Sequence, residues 1–314
     1  MVYSQDISRD SPGAFIFLVD QSMSMNKPFT HNPAGQPIRR AAFVANALNK
    51  TLEELVGRCM RDDGVRDYFE IGIIGYGKTG RPTFCWEDGL AGRRMVRISE
   101  VAANARMEEQ EIETTVRGEV VKEIVTLSRW VRPAAYDSTP MKAAFLMAHA
   151  TLEEWIYNHP TSFPPIVINI TDGMANDVDS DEELLAAARR LTTLKTTDGN
   201  VLLFNCHIEG SGQQPVIFPR SSVQLPADPY AKLLFEMSSE LSPRQRAVVC
   251  ELFDRDLNTN PSIRGMAYNA DAVALVKLLD IGTRQALNAP VEAAVESFVS
   301  EDPAPAVADD AWAD

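Results

Sequence analysis

Asp20, Ser22 and Ser24 alternate just past a short apolar run, in the stretch FIFLVDQSMS at 15–24. This spacing presents three small oxygens on one side of the backbone, the outline of a hard-cation site. Mg2+ takes oxygen ligands in a near-octahedron, gives up water reluctantly and rarely needs a cage made only of carboxylates. Two later stretches have the same form. PIVINITD at 165–172 is another apolar strand ending on an acid, Asp172, with Gly173 next where the chain must turn. Asp137-Ser138-Thr139-Pro140 precedes a helical run at 141–157, so Thr139 lies at a helix entrance with proline in the favoured first turn. Ligands gather at the carboxyl ends of central strands in an open α/β sheet, so three separated segments aim five oxygen side chains at one edge.

Each piece alone has a plainer reading. Asp-x-Ser-x-Ser by itself is a helix N-cap or a turn, 138–140 a cap, and 171–173 a strand-ending turn. The three together, in order and each after the right kind of element, make the signal. Together they resemble the von Willebrand factor type A (vWA) domain, whose metal-ion-dependent adhesion site is D-x-S-x-S, then a threonine, then T-D-G. The matching residues are Asp20-Gln21-Ser22-Met23-Ser24, Thr139 and Thr171-Asp172-Gly173, and the likeness covers 13–240. Two departures leave the ligands in place. The first motif and Thr139 are further apart than is usual, and Met23 replaces a small residue.

The resemblance implies a binding module. Ser22, Ser24 and Thr139 hold Mg2+, or Mn2+ or Ca2+ in its place, while Asp20 and Asp172 act directly or through water. An Asp or Glu of a partner protein then completes the shell. Through 87–136 the sequence also resembles, more loosely, a subset of bacterial cytosolic vWA proteins, some of them associated with tellurium resistance.

A chain of 314 residues with 45% hydrophobic content can bury one large α/β core, or one core with appendages. A net charge of −14 makes nucleic acid an unsuitable partner, because phosphate binding needs a basic face. Residues 1–12 show no charged start followed by an apolar run, so no secretory signal is expected, and no apolar segment is long enough to cross a bilayer. Cys59, Cys85, Cys206 and Cys250 are widely spaced without a Cys-x-x-Cys pair. That argues against zinc and for reduced thiols in a cytoplasmic protein.

The elements that must position the site alternate strand and helix, which predicts a doubly wound, mostly parallel sheet flanked by helices. Strands are expected at 14–19, 68–76, 83–86, 165–172, 201–208 and 216–218. Helices are expected at 38–60, 141–157, from a Ser180/Glu183 capping box to about 195, then 228–239, 243–253 and 270–280, with 265–269 as a link. The division is an extension at 1–12, a domain at 13–285 and an acidic, Ala/Pro-rich tail at 286–314 that cannot bury enough surface to order itself. Residues 87–136 form an inserted β-rich arm. It leads into Thr139, and 102–113 within it reads as helix or extended arm.

Two patterns at the second strand are decoys. Gly72 to Thr79 fits the P-loop and Gly75-Tyr-Gly77-Lys-Thr-Gly80 the dinucleotide fingerprint, yet both need a helix opening directly after the glycines, and Arg81-Pro82 comes instead. The glycines are expected where a helix packs closely. His149 and His159 are read as structural, and Asp177, Asp179 and Asp181 as a charged helix start.

The function expected is a non-catalytic, metal-dependent protein-binding module with no membrane role. The acidic tail could serve its own site or a neighbouring copy's, so self-association is compatible. The alternative is a Mg-dependent nucleotide-binding or phosphoryl-transfer enzyme using Lys78 and Asp172.

Overall fold

In the computed structural model, residues 3–32, 35–116, 119–209, 214–253 and 262–283 are described, so the expected acidic tail lies outside them. Eight strands share one sheet: β1 (Gly13–Asp20), β2 (Phe69–Tyr76), β3 (Pro82–Phe84), β4 (Val96–Arg97), β5 (Ile166–Thr171), β6 (Leu202–Ile208), β7 (Val216–Ile217) and β8 (Met266–Ala270). Their order is β7-β8-β6-β5-β1-β2-β3, with β4 also on β2. The central five, β8, β6, β5, β1 and β2, are parallel, and β3, β4 and β7 pair antiparallel at the edges. This is the doubly wound, mostly parallel α/β sheet that the alternation predicts.

Every residue of β1, β5 and β6 is buried, as strands covered on both faces require. The helices are α1 (Arg40–Cys59), α2 (Ile98–Ala103), α3 (Met141–Asn158), α4 (Asp181–Thr193), α5 (Pro229–Met237), α6 (Pro243–Leu252) and α7 (Ala272–Thr283). One core holds side chains of α1, α2, α6 and α7 against Phe15, Phe17 and Phe204, and the other holds those of α3, α4 and α5 against Ile16, Leu18 and Leu203. Burying a side chain such as Phe17 or Leu18 contributes about 1.5–3 kcal/mol.

Two asparagines interrupt the apolar strands. Asn169 and Asn205 are register partners, and a fully buried relay runs from the Tyr76 hydroxyl to Asn169 Oδ1 (2.8 Å), from Asn169 Nδ2 to Asn205 Oδ1 (3.0 Å) and from Asn205 Nδ2 to Ser238 Oγ (3.0 Å). A one-residue slip of β5 on β6 would leave these groups unpaired, so the relay fixes their register.

Two expectations are corrected, the link at 265–269 and the Ser180/Glu183 capping box, and the choice left open at 102–113 is decided. Residues 265–269 are no link, because Met266–Ala270 is a buried parallel strand on β6. The stretch 102–113 becomes mostly extended: Arg106–Val116 and Glu119–Arg129 pair over eleven rungs as a long antiparallel hairpin, the inserted β-rich arm. Its base packs on the middle of α1, where Arg129 bonds Asn46 and the Asn49 amide bonds Trp130 and Val131. The Ser180/Glu183 capping box does not form: Ser180 is the N-cap of α4 without a side-chain capping bond, and Glu183 instead pairs with Lys142 at 2.5 Å. Within α3, His149 is buried and lies below the usual histidine pKa by desolvation, while His159 packs on Trp155 and faces Glu70, as structural histidines do.

All four cysteines are free, with Cys59, Cys206 and Cys250 buried. Burial pushes the Cys59 and Cys85 thiols up to about 12 and raises Cys206 further still. The thiolate is the reactive form, so native protein should resist iodoacetamide and react at all four sites once denatured. Mass spectrometry of the two samples checks this, and fast native labelling of Cys59 or Cys206 would contradict the packing.

Candidate metal centre

The strand order reverses at β1. From β1 the chain crosses to β2 on one side, then returns by α3 to β5 on the other. The crevice between the carboxyl ends of β1 and β5 is therefore the topological switch point, where open α/β sheets bind ligands. Asp20 is the last residue of β1, and Asp172 comes directly after β5.

The Asp20 side chain organises its own loop. Its residue is fully buried, with Oδ1 accepting from Ser22 N at 2.8 Å and Oδ2 from Thr171 Oγ1 at 2.8 Å. Among the described residues its hydrogen-bond partners, with Asp172 N a third at 3.4 Å, are all neutral. Burial lifts the carboxyl to about 6, and the Asp172 charge pushes the same way, against the bonds from Ser22 and Thr171. Ser22 heads a 3-10 turn, Met23–Asn26, yet its hydroxyl makes no capping bond. It lies 3.0 Å from Ser24 Oγ and 3.5 Å from Asp172 Oδ1, while Ser24 Oγ donates to Asp172 Oδ1 at 2.5 Å. The plain reading of the motif as a turn thus holds for the backbone, while the Ser22 and Ser24 hydroxyls bond each other and Asp172.

Thr139 joins by a different route. Its N–H donates to Asn176 Oδ1 at 2.9 Å and its carbonyl accepts from Asn176 N at 3.1 Å, which ties it to the loop after Asp172. Just before it, Tyr136 N donates to Gln21 O at 2.5 Å and Ser138 Oγ to Gly77 O at 3.1 Å. The structure thus brings Asp20, Ser22, Ser24 and Asp172 into one hydrogen-bonded group, whereas Thr139 is tied through its backbone to Asn176 in the loop after Asp172. The helix entrance is shifted by one residue, since Pro140 is the N-cap of α3 rather than part of its first turn. Asp177 completes it, accepting from Lys142 N at 3.2 Å and Ala143 N at 2.8 Å. That acid belongs to the start of α3, rather than to a solvated start of α4.

Sequence reasoning missed Arg40. It is buried at the start of α1, with Nη1 at 2.6 Å from Asp172 Oδ2 and Nη2 at 2.8 Å from Glu209 Oε1. A signal was available: position 40 is one turn before Val44 on the buried stripe Val44, Leu48, Leu52, Leu55.

The donor set suits a hard divalent ion. Ligands at about 2.1 Å in an octahedron have adjacent oxygens about 3 Å apart, close to the Ser22–Ser24 separation of 3.0 Å. No three His, Cys, Asp or Glu side chains gather to hold a metal among the described residues, so the hydroxyls are essential to the reading.

The glycine patterns serve this loop. A Cβ on Gly75 would lie 2.4 Å from Gln21 Oε1, and one on Gly77 2.3 Å from the Gln21 carbonyl oxygen. These glycines admit the Asp20–Ser24 loop and not a helix, which corrects that expectation. After them the chain makes a single 3-10 turn, Lys78–Gly80, and enters β3, with Lys78 Nζ over the Tyr136 ring at 5.5 Å. Gly77→Ala must displace Gln21 backbone and with it Ser22. We expect at least about tenfold weaker Mg2+ binding by calorimetry, a loss of about 1.4 kcal/mol, and unchanged affinity would contradict this packing.

No family model matches the chain, and no curated protein matches it in sequence. Among solved structures, the chain is similar to the vWF domain of the type V pili tip protein Mfa5 from Porphyromonas gingivalis, at 10% identity and a TM-score of 0.39 over 90% of this chain and 98% of that one. A three-domain N-terminal fragment of the same pilus protein aligns at 12% identity and a TM-score of 0.29, over 52% of this chain and 20% of that one. Proximal thread matrix protein 1 of the mussel byssus aligns at 13% identity and a TM-score of 0.35, over 74% of this chain and 42% of that one. The chain thus spans well under two thirds of the last two.

Proposed function

We propose that this protein is a non-catalytic protein-binding module of the vWA type, in which a divalent cation receives an Asp or Glu from a partner protein. Ser22, Ser24 and Thr139 would hold the ion, Mg2+ first, with Asp20 and Asp172 acting directly or through water. The observation that carries this reading is the meeting of the Ser22 and Ser24 hydroxyls with an Asp172 oxygen at the switch point, above a buried Asp20 whose partners among the described residues are all neutral. An ion held largely by neutral hydroxyls keeps much of its positive charge for an anionic ligand.

The chain's own residues do the rest. Asp20 fixes the loop through Ser22 N and keeps both serine hydroxyls on one side. Met23 and Met174, 55% and 60% exposed, flank the crevice on its two loops and offer adaptable apolar surface around a bound acid. The alternative enzyme gains little support, because Lys78 rests on Tyr136 and Ser22 stands where an aspartyl phosphotransferase would need its general acid. Free thiols suit a reducing compartment, the cytoplasm in this proposal. No helix among the described residues is long and apolar enough to cross a membrane.

Partner capture from the source cell's lysate, with Mg2+ and with EDTA, tests the reading. Capture should require Mg2+ and disappear for Thr139→Ala, whose melting temperature should stay near wild type because Thr139 is tied to Asn176 through its backbone rather than its hydroxyl. Equal capture in chelator would end the proposal. A nucleotide-turnover assay with Mg2+ should show no rate above the blank.

A further inference from the structure

Arg40 is an unexpected resident. A guanidinium in the first turn of a helix faces the positive end of the helix dipole, which favours acids there. Its residue is only 4% exposed, and among the described residues its Nε has no hydrogen-bond partner. Burying an arginine is costly unless its charge is matched, so Asp172 and Glu209 must hold it in place. The two partners differ: the Asp172 side chain is fully buried, whereas that of Glu209 is 30% exposed.

We propose that Arg40 is the site's internal counter-cation, competing with the divalent ion for Asp172, and that Glu209 is the seat to which the guanidinium withdraws when the ion binds. This rests on the metal-binding reading above. Both cations seek the same carboxylate, and two unlike demands meet there: Oδ1 faces the serine hydroxyls and Oδ2 faces Arg40. A positive charge in contact with a ligand carboxylate lowers the attraction that carboxylate offers to a second cation. Without metal, the same guanidinium neutralises Asp172 beside the buried Asp20 and keeps the crevice from self-repulsion. Glu209 makes the exchange possible, because Nη2 already touches it and the arginine need not be left bare. The arrangement sets divalent affinity from within the fold and keeps the metal-free protein folded.

The test is calorimetric Mg2+ titration, with thermal melts in EDTA, of full-length wild type, Arg40→Met, Arg40→Lys and Glu209→Gln. Arg40→Met should bind Mg2+ at least about tenfold tighter and melt lower in EDTA, since it removes a contacting charge in a poorly solvated site. Arg40→Lys keeps the charge and should stay within about threefold of wild type. Glu209→Gln, at a partly exposed position, should bind several-fold more weakly, and that effect should shrink in the Arg40→Met background if it acts through the guanidinium. Wild type silent and Arg40→Met binding would also support the proposal. Mg2+ binding by wild type with equal or weaker binding by Arg40→Met would overturn it while sparing the metal reading, making Arg40 a positioning residue. If Arg40→Met does not fold, unchanged or tighter binding by Glu209→Gln overturns it instead. Silence in wild type and both Arg40 variants would overturn both ideas.

Discussion

Asp172→Ala should abolish Mg2+ binding and also destabilise the metal-free protein by about 3–5 kcal/mol, the usual cost of removing one partner from a buried ion pair. The loss is larger than for the other site residues because Asp172 has two roles. Its Oδ1 accepts from Ser24, and its Oδ2 takes Arg40 at 2.6 Å. Without it, a buried guanidinium keeps only Glu209 among the described residues, and its Nε has no bond there to fall back on. Ser24→Ala, by contrast, should lose the ion yet change stability by about 1 kcal/mol, the scale of one hydrogen bond. Chemical denaturation in EDTA separates the cases. The double variant Asp172→Ala/Arg40→Met should recover most of the lost stability and none of the metal binding, since it removes the uncompensated charge along with its partner. A single Asp172→Ala as stable as Ser24→Ala would mean that Arg40 does not depend on this contact.

The second large effect is far from the crevice. Gly265→Ala should destabilise the fold by about 3 kcal/mol through overpacking. A Cβ there would lie 2.1 Å from Cδ1 and 2.6 Å from Cγ of the Phe204 ring, which is fully buried at the centre of the sheet. The inner atoms of that ring cannot swing away, and the neighbouring backbone is fixed by bonds from Asn205 N to Gly265 O and from Gly265 N to Ser239 O. Denaturant unfolding of the variant also decides between the link expected at 265–269 and the strand observed, because a link would tolerate alanine with a change near zero.

That stretch shows where the sequence was legible and where it was not. β1, β5 and β6 announce themselves as unbroken apolar runs, because strands buried on both faces have no polar side to alternate with. MAYNA at 266–270 is equally buried but short, contains alanines and an asparagine, and comes after a glycine, so local pattern favoured a link over a strand. Its burial comes from β6 and β7 on either side, which are distant in sequence. The same limit explains the capping box. Ser180 and Glu183 have the right types and spacing, but Lys142 of α3 lies within reach of Glu183 and wins its carboxylate. Asp177, read as part of a solvated run, caps a helix that precedes it in the chain.

The site obeyed the same rule. Asp20, Ser22, Ser24 and Asp172 could be read because strand ends and turns are local features, and the switch point brings those ends together. Arg40 needed the phase of α1 to be carried back one turn into what reads as the basic start of a helix. Its pairing with Asp172 is tertiary and left no mark in the motif.

These oxygens, in the function proposed above, share one divalent ion. Anomalous diffraction from crystals soaked in Mn2+ would locate that ion. One strong peak should lie about 2 Å from Ser22 Oγ and Ser24 Oγ, within direct or one-water reach of Asp20, Thr139 and Asp172. A peak elsewhere, or none at these hydroxyls with the crevice open to solvent, would contradict it.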